Sequence, residues 1–301
     1  MKKLIIEARI NEYEMRDANP HVPWTPEEIA ADAARCREAG AAIVHFHARK
    51  PDGAPDFSAQ TYGEIIRRIK ERSDILVHPT LGAGRADLPV SQRIKPVMEL
   101  GADASTRPDL IPLCMGSPNW DFFDGETGRF VSPDKIFVNK TEDLIASARG
   151  LTAAGFGLSC VCWEVGATRR LSAFLEAGIV PAPGYLVFHL TSSGMLAGHP
   201  GTPEGLDAHL AFLPKCRAVE WAVINLHGSM IGLLEMIIRR GGHVQIGIGD
   251  YPYRESGAPA NAELVRQVAQ AAVRFGREVA TPEEAAAILG LKRGSTARSS
   301  P

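Results

Sequence analysis

The sequence predicts a (β/α)8 barrel built as a single domain. Eight short apolar segments alternate with amphipathic ones, a pattern typical of α/β folds with a parallel sheet. The apolar segments are mostly continuous, as in strands that are buried on both faces. No GxGxxG motif follows the first of them, which disfavours a doubly wound dinucleotide-binding sheet. Since the chain has 301 residues and no Pro/Gly/Ser-rich linker midway, we expect residues 1–292 to form one barrel.

The predicted strands are rich in valine, isoleucine and aromatic residues: Leu4–Ile10, Ala42–His47, Ile75–Pro79, Leu110–Met115, Gly157–Glu164, Tyr185–Leu190, Ala218–Leu226 and His243–Ile248. Two of the predicted helices start with a Thr-Pro-Glu-Glu signal. The helices span Thr25–Ala39, Thr61–Arg72, Thr141–Ala154, Arg169–Ala177, Gly205–Lys215, Ser229–Arg240, Asn261–Phe275 and Thr281–Gly290. The irregular piece Gly116–Lys135 is predicted to be an active-site loop, and the tail Arg293–Pro301 is predicted to be disordered.

Composition argues against several classes of protein. The net charge is −2 and no long run of one sign occurs, unlike the basic stripe of a nucleic-acid-binding protein. The apolar runs are too short for a membrane span, and early charges disfavour a signal peptide. The five cysteines are scattered without a CxxC motif, so we expect no disulfide framework. We therefore predict a cytoplasmic enzyme whose partners are small molecules, with neither nucleic acid nor membrane among them.

The segment from Ala41 to Arg49 carries the strongest chemical signal. Successive side chains of a strand alternate between its two faces, so His45 and His47 are expected to point the same way. Two histidines on one strand form half of a zinc-type site, and the alternative is two polar strand residues with separate partners. Arg49 is predicted either to clamp a substrate carboxylate or to form a salt bridge at the barrel mouth.

Polar groups also follow most of the other predicted strands. Catalytic groups of such barrels gather at the carboxyl ends of the strands, so this convergence predicts an active site at that end. The groups are Asn11, Glu12 and Glu14 after the first strand, His78 and Thr80, Glu164, His189 with Thr191 and Ser192, Asn225 with His227, and Asp250. The glycine-rich turns at Gly82 and Gly194 either leave backbone N–H groups free for an anion or only turn the chain.

These residues resemble those of the β-keto acid cleavage enzyme family, the 3-keto-5-aminohexanoate cleavage enzyme type. The matching segments run in order along nearly the whole chain: Pro20–Ile29, Ala39–Arg49, Pro51–Gly53, Gly241–Val244, Asn261–Val265 and Ala280–Glu284. The resemblance implies a zinc-binding (β/α)8 barrel. It also implies a reaction in which a β-keto acid and acetyl-CoA give acetoacetate and a new acyl-CoA.

The resemblance places the family's metal-binding histidines on His45 and His47. It places the following arginine on Arg49 and a substrate-contacting serine on Thr80. Four family residues are replaced in this chain. The strand-eight arginine and glutamate, the latter a metal ligand, have become Gln245 and Gly249. A strand-five glutamate and a strand-four threonine have become Val161 and Pro112.

The metal site inherited through the resemblance therefore lacks its third ligand. We predict that Asp250 or, second, His78 supplies it, with His227 and a carboxylate of strand one (Glu12 to Glu14) as further candidates. The metal is Zn²⁺ or another divalent ion, and acetyl-CoA is the co-substrate. Asp250 or Glu14 is predicted to transfer the proton. The complete predicted set is Asp250, Glu14 and Thr80 for catalysis, Arg49, Asn11, Gly82 and Ser192 for substrate binding, and His45 and His47 for metal.

Two other functions remain compatible with the same residues. One is a CoA-independent, metal-assisted C–C lyase or hydrolase acting on a keto acid, since the strand-eight residues are altered. The other is a barrel that only binds a small acid. A homo-oligomer is expected because barrels of this type commonly associate.

Overall fold

The computed structural model describes residues 2–12, 14–81 and 88–292, and it confirms the predicted barrel. Eight parallel strands lie in the order β3-β2-β1-β8-β7-β6-β5-β4. Their bounds are Ile6–Arg9 (β1), Ile43–Phe46 (β2), Leu76–Pro79 (β3), Leu110–Cys114 (β4), Gly157–Cys162 (β5), Gly184–Thr191 (β6), Val219–Leu226 (β7) and His243–Ile246 (β8). Val77 and Asp109 join β3 to the start of β4, because the Asp109 amide donates to the Val77 carbonyl oxygen at 2.9 Å.

Helices surround these strands. They are Pro26–Glu38 (α1), Ala59–Arg72 (α2), Val90–Arg93 (α3), Lys95–Leu100 (α4), Thr141–Ala153 (α5), Val165–Glu176 (α6), Pro203–Ala211 (α7), Leu234–Arg239 (α8), Asn261–Arg274 (α9) and Pro282–Ile288 (α10). Within the described ranges, no helix is both long and apolar enough to cross a bilayer. The tail 293–301, predicted to be disordered, lies outside the described residues.

The helix boundaries show which sequence signals were decisive. At α1 the Thr25 hydroxyl accepts from the Glu28 amide at 3.2 Å, while the Glu28 carboxylate accepts from the Thr25 amide at 2.9 Å. This reciprocal cap was predicted, and α10 repeats it at Thr281. At Thr202 the hydroxyl alone accepts from the Gly205 amide; this cap was missed, so α7 begins two residues before the predicted Gly205.

Other helical predictions were wrong in extent. Helix α6 begins at Val165 rather than at Arg169. The predicted helix from Ser229 is a 3₁₀ turn at Ile231–Leu233 followed by the short α8. Helices α3 and α4 were not predicted at all. They are only four and six residues long, too short for a helical period to stand out in the sequence.

Helix α10 closes the amino-terminal end of the barrel. Its Ala285, Ala286 and Leu289 pack in one buried cluster with strand residues such as Ile5 and Ile43. The Leu4 amide also donates to the Glu278 carbonyl oxygen at 2.7 Å, just before this helix. A ligand therefore reaches the interior from the opposite, carboxyl end of the strands.

The long loop after β4 partly covers that carboxyl end. It contains a hairpin of two short strands, Phe123–Asp124 and Arg129–Phe130. The Phe123 amide donates to the Gly194 carbonyl oxygen at 2.8 Å, which ties the loop to the turn after β6. All five cysteines lie in the described ranges and are free, as expected.

Candidate active site

Strand β1 carries two charged side chains into the barrel interior. Ile6 and Ala8 pack in the cluster between sheet and helices, so the alternating Glu7 and Arg9 face inward. The parallel register pairs Glu7 with Gln245 of β8, and pairs Arg9 with His45 of β2. The middle of the barrel is therefore polar although its amino-terminal end is apolar.

Glu12, His45 and His47 form a buried group at the mouth of the barrel. His45 Nε2 lies 3.2 Å from Glu12 Oε1, and His47 Nε2 contacts Glu12 Oε2. One nitrogen or oxygen of each residue lies within 4.8 Å of the other two. Both imidazoles thus point to the same carboxylate, as the alternation of the strand requires.

Burial favours the neutral form of both histidines. Loss of hydration, and secondarily the charge of Arg9, holds the pKa of His45 and the pKa of His47 well below the usual range. A neutral imidazole keeps a lone pair for a metal ion. Together with one carboxylate, this is the donor chemistry of a divalent metal site.

Arg9 links this group to Asp250. Its Nε donates to both carboxylate oxygens of Asp250 at 3.0 Å, its Nη2 contacts Glu12, and its Nη1 donates to Gln245 Oε1 at 3.3 Å. Burial raises the pKa of Asp250 to about 6, even though Arg9 acts in the opposite direction. Asp250 belongs to neither of the groups of potential metal ligands found among the described residues.

A second group, formed by Glu7, His78 and His45, lies deeper in the barrel. His78 Nδ1 is 2.8 Å from Glu7 Oε1, and Gln245 Nε2 donates to Glu7 Oε2 at 2.9 Å. Within the described part of the chain, the buried His78 Nε2 and His45 Nδ1 have no hydrogen-bond partner. The His45 and His78 rings meet edge to face, with centroids 4.8 Å apart.

Gly249 lies against the backbone that carries Glu12. A Cβ atom at this position would approach the Glu12 amide nitrogen to 2.3 Å and the Asn11 amide nitrogen to 2.7 Å. Gly247 is equally tight, since a Cβ there would approach the Arg9 carbonyl oxygen to 1.8 Å. No side chain fits at position 249 unless the segment that carries Glu12 moves.

Two of the predicted substrate-binding residues hold backbone instead. The Asn11 amide group exchanges hydrogen bonds with the His47 backbone, at 2.8 and 2.9 Å. Arg49 donates to the carbonyl oxygens of Asn11, Glu12 and Glu14, and to that of Gly53 at 2.7 Å. Both residues therefore position the segment that presents Glu12, and neither lines the main cavity.

The remaining predicted residues lie in different places. Thr80 lines the main cavity. Ser192 donates to Asn225 Oδ1 at 3.0 Å and is not among the residues that line it. Glu14 lines a smaller cavity, and burial raises its pKa. Gly82 lies outside the described residues.

The main cavity, of about 740 Å³, opens at the carboxyl end of the strands. Its polar wall consists of Arg9, Glu12, His45, His78, Thr80 and Gln245. Its mainly apolar wall includes Cys114, Trp120, Phe122, Phe137, Val161, Trp163, Met195 and Leu226, with Ser159 and His189 as polar members. The loop 116–135 contributes Trp120 and Phe122, in keeping with its prediction as an active-site loop.

The smaller cavity, of about 300 Å³, adjoins the main one. Glu12, Leu226 and His227 line both, whereas Glu14 and Asp250 line only the smaller one. The Asp250 carboxylate therefore lies behind Arg9 and Glu12 as seen from the main cavity.

Sequence reasoning missed Glu7 and Arg9. The signal was two charged residues at alternate positions in a strand that is otherwise apolar, Leu4–Ile10. Buried charges need partners, so their presence there already pointed to a polar interior.

Comparison with known proteins identifies the family of this chain. A model of the beta-keto acid cleavage enzyme family matches residues 3–291. The 3-keto-5-aminohexanoate cleavage enzyme of Acetoanaerobium sticklandii is 31% identical over 297 residues, 97% of this chain and 100% of that protein. The 3,5-dioxohexanoate:acetyl-CoA acetone transferase of Paraburkholderia graminis is 27% identical, with 91% of each chain covered.

A solved structure shows the same fold. The ligand-free structure of ObcA superposes with a TM-score of 0.67 at 15% identity, over 90% of this chain and 66% of that one. The family resemblance predicted from the motifs is confirmed by the match over nearly the whole sequence. This chain belongs to the beta-keto acid cleavage enzyme family.

Proposed function

We propose that this protein is a divalent-metal-dependent β-keto acid cleavage enzyme that uses acetyl-CoA. A β-keto acid R–CO–CH2–COO⁻ and acetyl-CoA would give R–CO–CoA and acetoacetate, so that the CH2–COO⁻ unit moves from one acyl carbon to the other. The observation that carries this proposal is the buried group of Glu12, His45 and His47 beside a large cavity, in a chain of this family.

The donor set fits a catalytic zinc ion or a similar divalent metal. Catalytic zinc sites use three nitrogen or oxygen ligands from the protein and leave a position open for water or substrate. Glu12, His45 and His47 would be those three ligands. When bound, the metal would act as a Lewis acid on the keto group of the substrate.

The deeper group would support this site rather than hold a second ion. The Glu7 carboxylate already bonds both His78 and Gln245, which occupies its oxygens. With its Nδ1 proton donated to Glu7, His78 would have Nε2 available as an acceptor. His45 Nδ1, which also has no hydrogen-bond partner among the described residues, would donate to it once metal is bound. A histidine ligand usually donates its second ring N–H in this way, which fixes its tautomer and orientation.

Arg9 of β1 and Glu12, which follows β1, would replace the family's strand-eight arginine and glutamate. Gln245 and Gly249 stand where the resemblance places that pair. Arg9 and Glu12 lie beside these two positions. Because a side chain cannot fit at Gly249, the carboxylate ligand would come from Glu12, and not from Asp250 or His78.

This assignment leaves Asp250 free to act as the general base. A pKa near 6 lets the carboxylate accept a proton near neutral pH. Because Asp250 lines only the smaller cavity, it would take the proton from C2, between the keto and carboxylate groups of the substrate, through a water molecule where the two cavities meet. C2 would then bond to the acetyl carbon and displace the CoA thiolate from it. The thiolate would add to the original keto carbon, the bond from that carbon to C2 would break, and C2 would take the proton back from Asp250.

Arg9 would contribute electrostatically. Its guanidinium lines the main cavity and holds both oxygens of Asp250. A fixed positive charge at this point stabilises the negative charge that develops on the substrate. Thr80, on the same wall, would contact the substrate carboxylate.

The test is an assay of acyl-CoA formation from acetyl-CoA and a series of β-keto acids, together with metal analysis of the purified protein. We expect acyl-CoA and acetoacetate in equal amounts, and loss of both after removal of metal by a chelator. Cleavage that proceeds without acetyl-CoA would instead indicate the lyase or hydrolase alternative. Binding of keto acids without any turnover would indicate a barrel that only binds small acids.

Two further properties belong to this proposal. A cytoplasmic location is supported by the use of acetyl-CoA, and fractionation of cells tests it. A homo-oligomer is supported by the general habit of such barrels. Light scattering on the purified protein tests that expectation, and a mass of a single 32.4 kDa chain would contradict it.

A further inference from the structure

We infer that the acyl group R, which the enzyme transfers to CoA, is uncharged and apolar. This inference rests on the proposed function, because it concerns the part of the β-keto acid that extends beyond the keto carbon. Its basis is the division of the main cavity into a polar wall beside Glu12, His45 and His47 and an apolar wall across from it.

The polar wall fixes the reacting end of the substrate. Its imidazoles, carboxylate and guanidinium lie on β1, β2 and β3 or directly after β1, and they are suited to hold the keto and carboxylate groups. A substrate bound there extends toward β4, β5 and β6. The group R therefore meets the apolar wall.

The apolar wall is a packed, buried surface. Cys114, Phe137, Val161, Trp163 and Met195 belong to one hydrophobic cluster, against which Trp120, Phe122 and Leu226 pack. The members of the cluster are at most 7% exposed. Each methylene group transferred from water to such a surface contributes about 0.8 kcal/mol, or about fourfold in affinity.

The two titratable groups at this wall are held neutral. Burial raises the pKa of the Cys114 thiol to about 12, and its sulfur accepts from the Trp163 indole N–H at 3.0 Å. Burial holds the pKa of His189 well below its usual range, and its ring packs on Trp163 at 4.6 Å. Neither group offers a charge to a substrate.

The charged residues that remain around the cavity are already engaged or lie at its rim. Among the described lining residues outside the polar wall, they are Arg93, Asp134 and Lys135. The Arg93 guanidinium lies 4.3 Å from the Phe137 ring centre and donates to Asn139 Oδ1. Asp134 and Lys135 are exposed to solvent. A cationic R group would therefore lose its hydration without gaining a buried partner. An anionic one could gain only Arg93, at the expense of the contacts that Arg93 makes with Phe137 and Asn139.

The experiment compares three acids of equal length that differ only at the far end. They are 3-oxohexanoate, 3-oxoadipate and 5-amino-3-oxohexanoate, with R uncharged, anionic and cationic. We expect kcat/KM for 3-oxohexanoate to exceed both others by about 100-fold, as an unpaired charge on an apolar surface costs several kcal/mol. We also expect a rise of about fourfold per methylene from 3-oxohexanoate to 3-oxooctanoate.

The outcomes separate this inference from the proposed function. Equal or faster turnover of the anionic acid would overturn the inference and implicate Arg93, and the same result with the cationic acid would implicate Asp134. In both cases the acetyl-CoA reaction itself would stand. Failure of all four acids to yield acyl-CoA would instead overturn the proposed function.

A cavity-filling variant locates the group R. Val161→Phe fills part of the apolar wall, so we expect it to lower kcat/KM for 3-oxooctanoate by at least tenfold while 3-oxohexanoate changes by less than threefold. Val273→Phe is the matched control, since Val273 is 74% exposed on α9. An equal loss for both acids with unchanged metal content, or no loss for either, would contradict the assignment of R to this wall.

Discussion

The two ends of the barrel are built from the same eight strands but differ in every respect that matters for function. The amino-terminal end is apolar and closed by α10, and its buried histidine makes one hydrogen bond and one contact with a carboxylate. His243 Nδ1 accepts from the Ile5 amide at 3.0 Å, and its Nε2 lies 3.4 Å from Glu220. At the carboxyl end, His45, His78 and His189 each keep a buried nitrogen without a hydrogen-bond partner among the described residues.

The two ends therefore differ in how completely their buried polar atoms are paired, and this affects the free energy of unfolding. Leaving a buried polar atom without a partner costs about 1–3 kcal/mol, and within the described ranges His45, His78 and His189 at the mouth each carry such an atom. At the closed end, the His243 nitrogen that has no hydrogen-bond partner in the described part of the chain still lies beside the Glu220 carboxylate. We therefore expect substitutions at the closed end to change stability, and substitutions at the mouth to change metal binding and activity.

The largest expected effect is at the mouth. His45→Ala removes one imidazole from the group of three ligands, so we expect metal content to fall and acyl-CoA formation to drop by about 1000-fold or more. The melting temperature of the metal-free protein should stay close to that of the metal-free wild type. Activity assays, elemental analysis and thermal unfolding measure the three quantities.

His243→Ala is the matched control at the other end. It leaves the Ile5 amide and Glu220 without their partner, so the free energy of unfolding should fall by about 1–3 kcal/mol. The kcat/KM of the folded protein should not change. A loss of activity with unchanged stability would mean that the two ends are not separated in the way described.

The next largest effect is expected at α10. Leu289→Ala removes a buried side chain from the cluster that closes the amino-terminal end, at a cost of about 2–4 kcal/mol. Denaturant titration measures this cost. A simultaneous change in KM for the keto acid would show that the closed end also shapes the site.

The pH profile should report on Asp250. The group acts as a base only when ionised, and its pKa is raised to about 6, so kcat should fall about tenfold per pH unit below that value. The charged groups around it are Arg9, Glu7 and Glu14. Asp250→Asn should abolish this part of the profile, whereas Glu14→Gln should keep it. Survival of the inflection in Asp250→Asn, or its loss in Glu14→Gln, would assign proton transfer to Glu14.

The smallest effect is expected for a helix cap at the closed end. Thr281→Ala removes the hydroxyl that accepts from the Glu284 amide at 3.2 Å, and should cost about 1 kcal/mol. Thr281→Ser, which keeps the hydroxyl, is the control. Activity per folded molecule should be the same in both variants. A difference would show that the closed end of the barrel influences the active site.

The sequence predicted the barrel and all eight strands because strand composition and helix caps are local signals. It also predicted that His45 and His47 share a face, since alternation along a strand is local too. The position of Glu12 depends on contacts between segments that are far apart in the sequence. The Arg49 guanidinium must bind the carbonyl oxygens of the segment that carries Glu12, and Gly249 must leave room for the backbone of that segment.

The partner of Asp250 also depends on a segment that is distant in the sequence. The position of Asp250 next to the lost glutamate suggested a metal ligand. The inward-facing Arg9 instead binds both of its oxygens, and the direction in which Arg9 points is set by the register between β1 and its neighbours. Such a partner cannot be read from one segment of sequence alone.

The central claim is that Glu12 completes the metal site in place of the missing strand-eight ligand. Its most direct test is the metal content of Glu12→Ala beside that of Glu14→Ala, each measured by elemental analysis after purification and dialysis. We predict about one divalent ion per chain for wild type and Glu14→Ala, and less than about 0.1 for Glu12→Ala, because two protein ligands hold zinc only weakly. A full equivalent of metal in Glu12→Ala would contradict the claim.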